Sequence, residues 1–308
     1  MRFPFSLRRR RDAAPVEGDP FDDEFQRKLE SLALVSRRVF AGRIRAERRT
    51  KKSGSGVEFA DYRDYQPGDD FRSVDWNVYR RFDRLLVRLY AEEEDLAIYF
   101  LLDASASMSF GAGKKAAYAK RVVAALAYVA LANLDRASIV TINDHVTKRL
   151  PETRGRARIF KAFRFLREVE FAGKTDLGDA MKTFVAQNKR RGLAVIVSDL
   201  YDPNGFARGI NILRYHKFDP FVVHVIDPAE AAPKLHGDLL VRDCETGDER
   251  EVTVTAAVLE QLSRAHAQYA DEIERFCTTH QVSYVPANVE RPFEELILRV
   301  FRKGGFLR

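Results

Sequence analysis

The chain has 308 residues, 52 Lys and Arg against 45 Asp and Glu, a formal net charge of +7, and 45% hydrophobic residues. That length is one large or two modest domains, ample to bury a core without disulfides, and a mixed charge of 31% excludes wholesale disorder. So small a surplus of positive charge also excludes a uniformly basic, histone-like binder, while leaving room for a local basic patch. The two cysteines, Cys244 and Cys277, match no metal-ligand spacing, and so few suit a reducing compartment. The longest apolar run, Val122 to Leu134, is shorter than the ~18 residues or more that cross a bilayer. No apolar stretch follows the first basic residues, as a secretory signal requires. The expected location is cytoplasmic.

Residues 1–20, with Arg8-Arg9-Arg10-Arg11 and few apolar side chains, read as a mobile basic tail, and an arginine run of this kind could touch an anionic membrane. From Asp22 to about Ala46 the spacing of Leu29, Leu32, Val35, Val39 and Phe40 predicts a helix behind an acidic first turn. Its far end, Arg37 to Lys52, is strongly basic, and Ser53-Gly54-Ser55-Gly56 breaks it. Residues 57–95 read as a small lobe with a turn at Gly68-Asp69-Asp70 and a strand over 85–90; with the preceding helix they form a predicted N-terminal region, 21–95. From 96 to 308 one pattern recurs. Apolar runs at Leu96–Leu102, Ser138–Ile142, Leu193–Val197, Phe221–Ile226 and Val282–Val285 read as strands. Helical patterns at Lys115–Leu134, Ala157–Val169, Leu177–Lys189, Phe206–Tyr215 and Thr255–His280 separate most of them. Asp243 to Glu251 reads as the turn of a hairpin insert over about 238–252. The fold class is α/β, a doubly wound, mostly parallel sheet.

In such sheets ligands bind beyond the carboxyl ends of the strands. Asp103-Ala104-Ser105-Ala106-Ser107 follows one predicted strand and Ser198-Asp199 follows another, while Thr175 stands in a glycine-bearing loop that opens a helix. Asp103, Ser105, Ser107, Thr175 and Asp199 make a hard, all-oxygen, partly anionic set, which suits Mg2+ or Mn2+ rather than zinc.

This arrangement resembles the metal-ion-dependent adhesion site of von Willebrand factor A domains, whose pattern is Asp-x-Ser-x-Ser, a distant Thr and a later Asp. The resemblance implies that Ser105, Ser107 and Thr175 are direct ligands and that Asp103 and Asp199 act largely through water. It also implies a sixth position completed by a protein partner's carboxylate. A finer resemblance rests on Gly56-Val57-Glu58-Phe59 and on Arg63-Asp64-Tyr65-Gln66-Pro67-Gly68-Asp69-Asp70-Phe71-Arg72-Ser73-Val74-Asp75-Trp76. That segment is similar to the signature of the prokaryotic "domain of unknown function 58" proteins, in a match from about residue 24 to the C-terminus. The implied partner is a MoxR-type AAA+ ATPase or its client, and the implied role is an adaptor in a chaperone-like assembly.

Rival readings are weaker. Gly173-Lys174-Thr175 ends like a phosphate loop, but Glu168 stands where the first glycine belongs, and Gly111-Ala112-Gly113-Lys114-Lys115 lacks the final Ser or Thr, so no direct ATP binding is expected. No Gly-x-Ser-x-Gly elbow or paired histidines support an enzyme, and a phosphate-ester hydrolase using the same cluster with a metal stands as the alternative. A second alternative, nucleic-acid binding through a basic helix over 37–52, lacks interleaved aromatics. Arg63, Asp69, Asp70, Arg72, Asp75 and Trp76 either fix the small lobe through internal ion pairs or form a partner-binding surface. Thr175 or Asp176 could instead cap the helix that starts at Leu177.

Overall fold

The computed structural model describes residues 19–32, 49–53, 58–93, 97–109 and 113–302. The arginine run, the sequence from Arg37 to Arg48 and the Gly54–Gly56 break lie outside them. The chain divides into two compact units, with boundaries at 36/37 and 95/96.

The first helix, α1 (23–32), belongs to the larger unit rather than to the small lobe with which the sequence had grouped it. Aromatic packing is the reason. Phe21 stacks on Phe163 at 4.8 Å between ring centroids, Phe25 lies 5.0 Å from Phe293, and Lys28 pairs with Glu294. Leu29 and Leu32 are buried on the same helix face, as their spacing requires.

The smaller unit is a three-stranded antiparallel sheet, order β1-β3-β2, from β1 (Arg49–Ser53), β2 (Glu58–Asp64) and β3 (Leu86–Glu93). A short helix, α2 (Trp76–Phe82), joins the last two strands. Arg49 to Lys52 therefore form part of a strand, which corrects the expected basic helix over the described part of 37–52. Pairing of β1 with Tyr90–Glu93 and Leu89 across the ladder overrides the helical charge pattern there.

The larger unit alternates strands and helices: β4 (Ala97–Asp103), α3 (Lys114–Ala132), β5 (Arg136–Ile142), β6 (Val146–Thr153), α4 (Ile159–Arg167), α5 (Leu177–Gln187), β7 (Leu193–Ser198), α6 (Phe206–Tyr215) and β8 (Asp219–Ile226). A short α7 (Pro228–Ala231) and a two-stranded ribbon, β9 (Gly237–Arg242) and β10 (Glu249–Val254), come next. The long α8 (Ala256–Thr279), β11 (Ser283–Asn288) and α9 (Phe293–Arg302) complete the described chain. The six-stranded sheet has the order β11-β8-β7-β4-β5-β6 and is parallel except at β6.

Burial on both faces explains the uninterrupted apolar runs, since every residue of β4 is buried. Ala97, Tyr99 and Leu101 share one core with Leu177, Met181 and Phe184 of α5, Ile210 and Leu213 of α6, and Ile273 and Cys277 of α8. The alternate residues Ile98, Phe100 and Leu102 point to the opposite face. There α3, buried from Val122 to Leu131, packs on β4, β5, β7 and β8. No helix among the described residues is long and apolar enough to cross a membrane.

The entry to β7 is tight. A Cβ on Gly192 would stand 2.1 Å from the Ala97 carbonyl oxygen, backbone that cannot swing away. Gly192→Ala is therefore expected to cost about 1–3 kcal/mol, the usual penalty of overpacking, and denaturant unfolding of the variant checks it.

Candidate metal centre

After β4 the chain builds β5 and β6 on one side, then crosses to β7 on the other side of β4. Strand order reverses there, so the crevice beyond the carboxyl ends of β4 and β7 is the natural ligand position of this topology. Asp103 ends β4, and Asp199 follows the last residue of β7. Asp103, Ser105 and Asp199 are fully buried, and Thr175 and Ser107 nearly so.

Backbone bonds hold the contributing loops in register. Ala106 N–H donates to Gly173 O at 3.1 Å, and Ala172 N–H donates to Ala104 O at 2.8 Å. Gly173 has φ +88, and an added Cβ there would crowd the Asn143 amide at 3.0 Å, so the loop that delivers Thr175 requires glycine. Asp103 Oδ1 accepts Ser105 N–H at 2.9 Å, while Oδ2 accepts the Ser198 hydroxyl. The Ser105 and Ser107 hydroxyls are 3.0 Å apart, and Ser107 Oγ donates to Asp199 Oδ1 at 3.4 Å. Asp176, not Thr175, caps α5, its carboxylate accepting Asp179 N–H. The Thr175 hydroxyl donates instead to Glu245 Oε1 at 2.7 Å. The helix-cap reading of Thr175 is thereby excluded; hydrogen bonds link Asp103 to Ser105, Ser105 to Ser107 and Ser107 to Asp199, and the loop that carries Thr175 is bonded to Ala106 through Gly173.

Burial and close charges shift the titratable groups around these residues. Burial, with the charge of Asp199 beside it, pushes the Asp103 carboxyl up to about 7. Lys115 on α3 is fully buried, with Nζ 2.7 Å from Asp199 Oδ2 and in contact with Glu230 Oε1. Burial alone would lower the lysine pKa, but the two carboxylates outweigh it and hold the ammonium charged. Burial raises Glu230 to about 7, against the pull of Lys115. Tyr201 extends this network: its hydroxyl lies 3.0 Å from His266 Nδ1 and 3.4 Å from Glu230 Oε2.

The donor set fits a hard divalent cation. Every expected ligand atom is oxygen, three of the five residues offer neutral hydroxyls, and of the two buried carboxylates Asp199 is already paired with the Lys115 ammonium. Among the described residues no group of three or more His, Cys, Asp or Glu is arranged to hold a metal ion, and the set proposed by the sequence draws on hydroxyls instead.

Sequence reasoning passed over Lys115, Glu230, Ser198 and Glu245. Glu230 lies just past the carboxyl end of β8, where the strand-end rule applied to β4 and β7 also points. Ser198 stood beside Asp199 but carried no pattern of its own. Lys115 was weighed only as part of a failed phosphate loop, and Glu245 only as part of a hairpin turn. Neither carries a motif of its own: Lys115 meets acids 84 and 115 positions further along the chain, and Glu245 meets Thr175 across 70.

The small lobe employs most of its expected surface residues internally. Arg63 Nη2 donates to both Asp69 oxygens, at 2.8 and 2.9 Å, and Asp69 also accepts Gln66 N–H. Asp70 accepts Arg72 N–H, and Asp75 caps α2 while accepting the Tyr62 hydroxyl at 2.8 Å. Arg72 and Trp76 are exposed. Asp75→Ala is expected to cost about 1–2 kcal/mol through loss of the helix cap, read by thermal unfolding.

A family model described as "Protein of unknown function DUF58" matches residues 61–272. An uncharacterized protein of Mycobacterium tuberculosis is 27% identical over 265 residues, covering 84% of this chain and 83% of its own length, and one from Mycobacterium bovis matches equally. Among solved structures, the conserved hypothetical protein BatB from Bacteroides thetaiotaomicron matches with a TM-score of 0.42 and 14% identity, over 68% of this chain and 96% of that one. An aerotolerance-related membrane protein from Bacteroides fragilis matches with a TM-score of 0.41 and 16% identity, over 68% and 99% of the two chains. The match of the family model over most of the chain places this protein in the DUF58 family.

Proposed function

We propose that the chain is a metal-dependent protein–protein interaction module rather than an enzyme. Asp103, Ser105, Ser107, Thr175 and Asp199 would hold Mg2+ or Mn2+, and the cation would supply a Lewis-acidic position for a carboxylate oxygen from a partner's Asp or Glu. The observation that carries this reading is the meeting, at the strand-order reversal, of two buried carboxylates with three hydroxyls on loops tied by backbone bonds. Each residue has a task. Asp103 and Asp199 supply negative charge, and Ser105, Ser107 and Thr175 supply neutral oxygens that leave the cation's charge only partly offset. Ser198 and Ser105 N–H orient Asp103, while Lys115 and Tyr201 N–H orient Asp199.

The partner class follows from the family resemblance: a MoxR-type AAA+ ATPase or its client, with the ATP chemistry performed by the partner. Affinity capture from native lysate, run in parallel with Mg2+ and with EDTA, tests the reading. An ATPase of this kind retained with Mg2+ and lost with EDTA or in Asp103→Ala is the expected result. The same proteins retained equally in all three arms would overturn it.

A further inference from the structure

The ribbon β9–β10 presents one acid to the centre. Its strands are largely exposed, and an isolated two-stranded hairpin is marginally stable at best in water. Its turn, by contrast, is firmly built. Asp243 is buried, and its Oδ1 accepts the N–H groups of Glu245 at 2.7 Å and Thr246 at 3.0 Å. Gly247 at φ +79 completes the reversal, with its N–H donating to Asp243 O at 3.0 Å. This scaffold turns Glu245 onto Thr175: Oε2 accepts Thr175 N–H at 3.0 Å, and Oε1 accepts its hydroxyl at 2.7 Å. One acid from a distant ribbon thus holds, through both of its oxygens, one of the residues assigned to the cation.

We propose that Glu245 is the centre's own carboxylate, supplying the acid oxygen that a partner's Asp or Glu would otherwise bring, so that a bound cation further secures the β9–β10 ribbon already held on Thr175, and an external carboxylate must displace it. This inference rests on the metal-centre reading above. It makes the ribbon a built-in competitor, with specificity decided by which acid holds the position.

The test uses Mn2+ alone as probe, with the full chain. Calorimetry measures Mn2+ affinity, and hydrogen exchange over Gly237–Val254 reports ribbon seating. In the wild type Mn2+ should slow exchange in the ribbon; in Glu245→Gln the affinity should fall about 10-fold and the slowing should vanish. Asp103→Asn serves as the control for the centre itself. Mn2+ binding that is unchanged in Glu245→Gln but lost in Asp103→Asn, with ribbon exchange indifferent to the metal, would overturn the role of Glu245 and leave the centre standing. A wild type that binds no Mn2+ would overturn both.

Discussion

Replacing Lys115 by Met is expected to destabilise the fold by about 3–5 kcal/mol, the cost of removing one partner from a buried ion pair. The ammonium is fully buried and lies against two acids, Asp199 and Glu230, themselves almost entirely out of water. Methionine fills similar space, so packing changes little, but both carboxylates lose their compensating charge. Each would then have to stay ionised in a low-dielectric site or take up a proton. Double replacement, Lys115→Met with Glu230→Gln, should recover part of the loss, because it removes one of the stranded charges. Denaturant midpoints at neutral pH measure both variants. A single variant as stable as wild type would mean that the ammonium does not neutralise this network.

The second large effect has the opposite sign. Without divalent cation, Asp103→Asn is expected to stabilise the protein at pH 8, where the buried carboxyl otherwise has to ionise beside Asp199. The Asp103 carboxyl stands near 7 in the fold against 3.8 ordinarily, because of burial and then the neighbouring Asp199 charge. A folded-state value above the unfolded one favours folding below about pH 4 and loses that contribution as pH rises through about 7. Wild-type stability in EDTA should accordingly decline between about pH 4 and pH 7 more steeply than that of Asp103→Asn. The amide oxygen can still accept Ser105 N–H, while the Ser198 hydroxyl has to turn to accept from the amide nitrogen. Added Mg2+ should raise the melting temperature of wild type and leave the variant unmoved. A residue that weakens its own fold while serving a site is the expected compromise at a functional position.

Much of this architecture is legible in the chain. The five apolar runs announce the parallel strands because burial on both faces leaves them no polar alternation. The helices α3, α5, α6 and α8 start and stop within a few residues of their sequence pattern, and α6 matches it throughout. The antiparallel β6 was not anticipated: Val146–Thr153 carries Lys, Arg, Pro and Glu, and as an edge strand it owes its structure to pairing with β5 rather than to its own composition. At the centre, Asp103, Ser105, Ser107 and Asp199 follow strand ends, and the strand-end rule finds them. Lys115 and Glu245 arrive from α3 and from the ribbon, and only the folded chain brings them there. The lobe's acidic and basic residues illustrate a different limit. Their sequence pattern fits both a docking surface and an internal network, and the bonds of Arg63, Asp69, Asp70 and Asp75 show them serving as turn and cap residues.

The central claim is that the side chains beyond β4 and β7 hold a divalent cation. Calorimetric titration of Mg2+ into the full chain at neutral pH, repeated with Asp103→Asn and Thr175→Val, tests it most directly. The account predicts saturable binding of one cation per chain, lost in Asp103→Asn and weakened at least about 10-fold in Thr175→Val. Absence of binding at millimolar Mg2+, or binding that both variants retain in full, would contradict it.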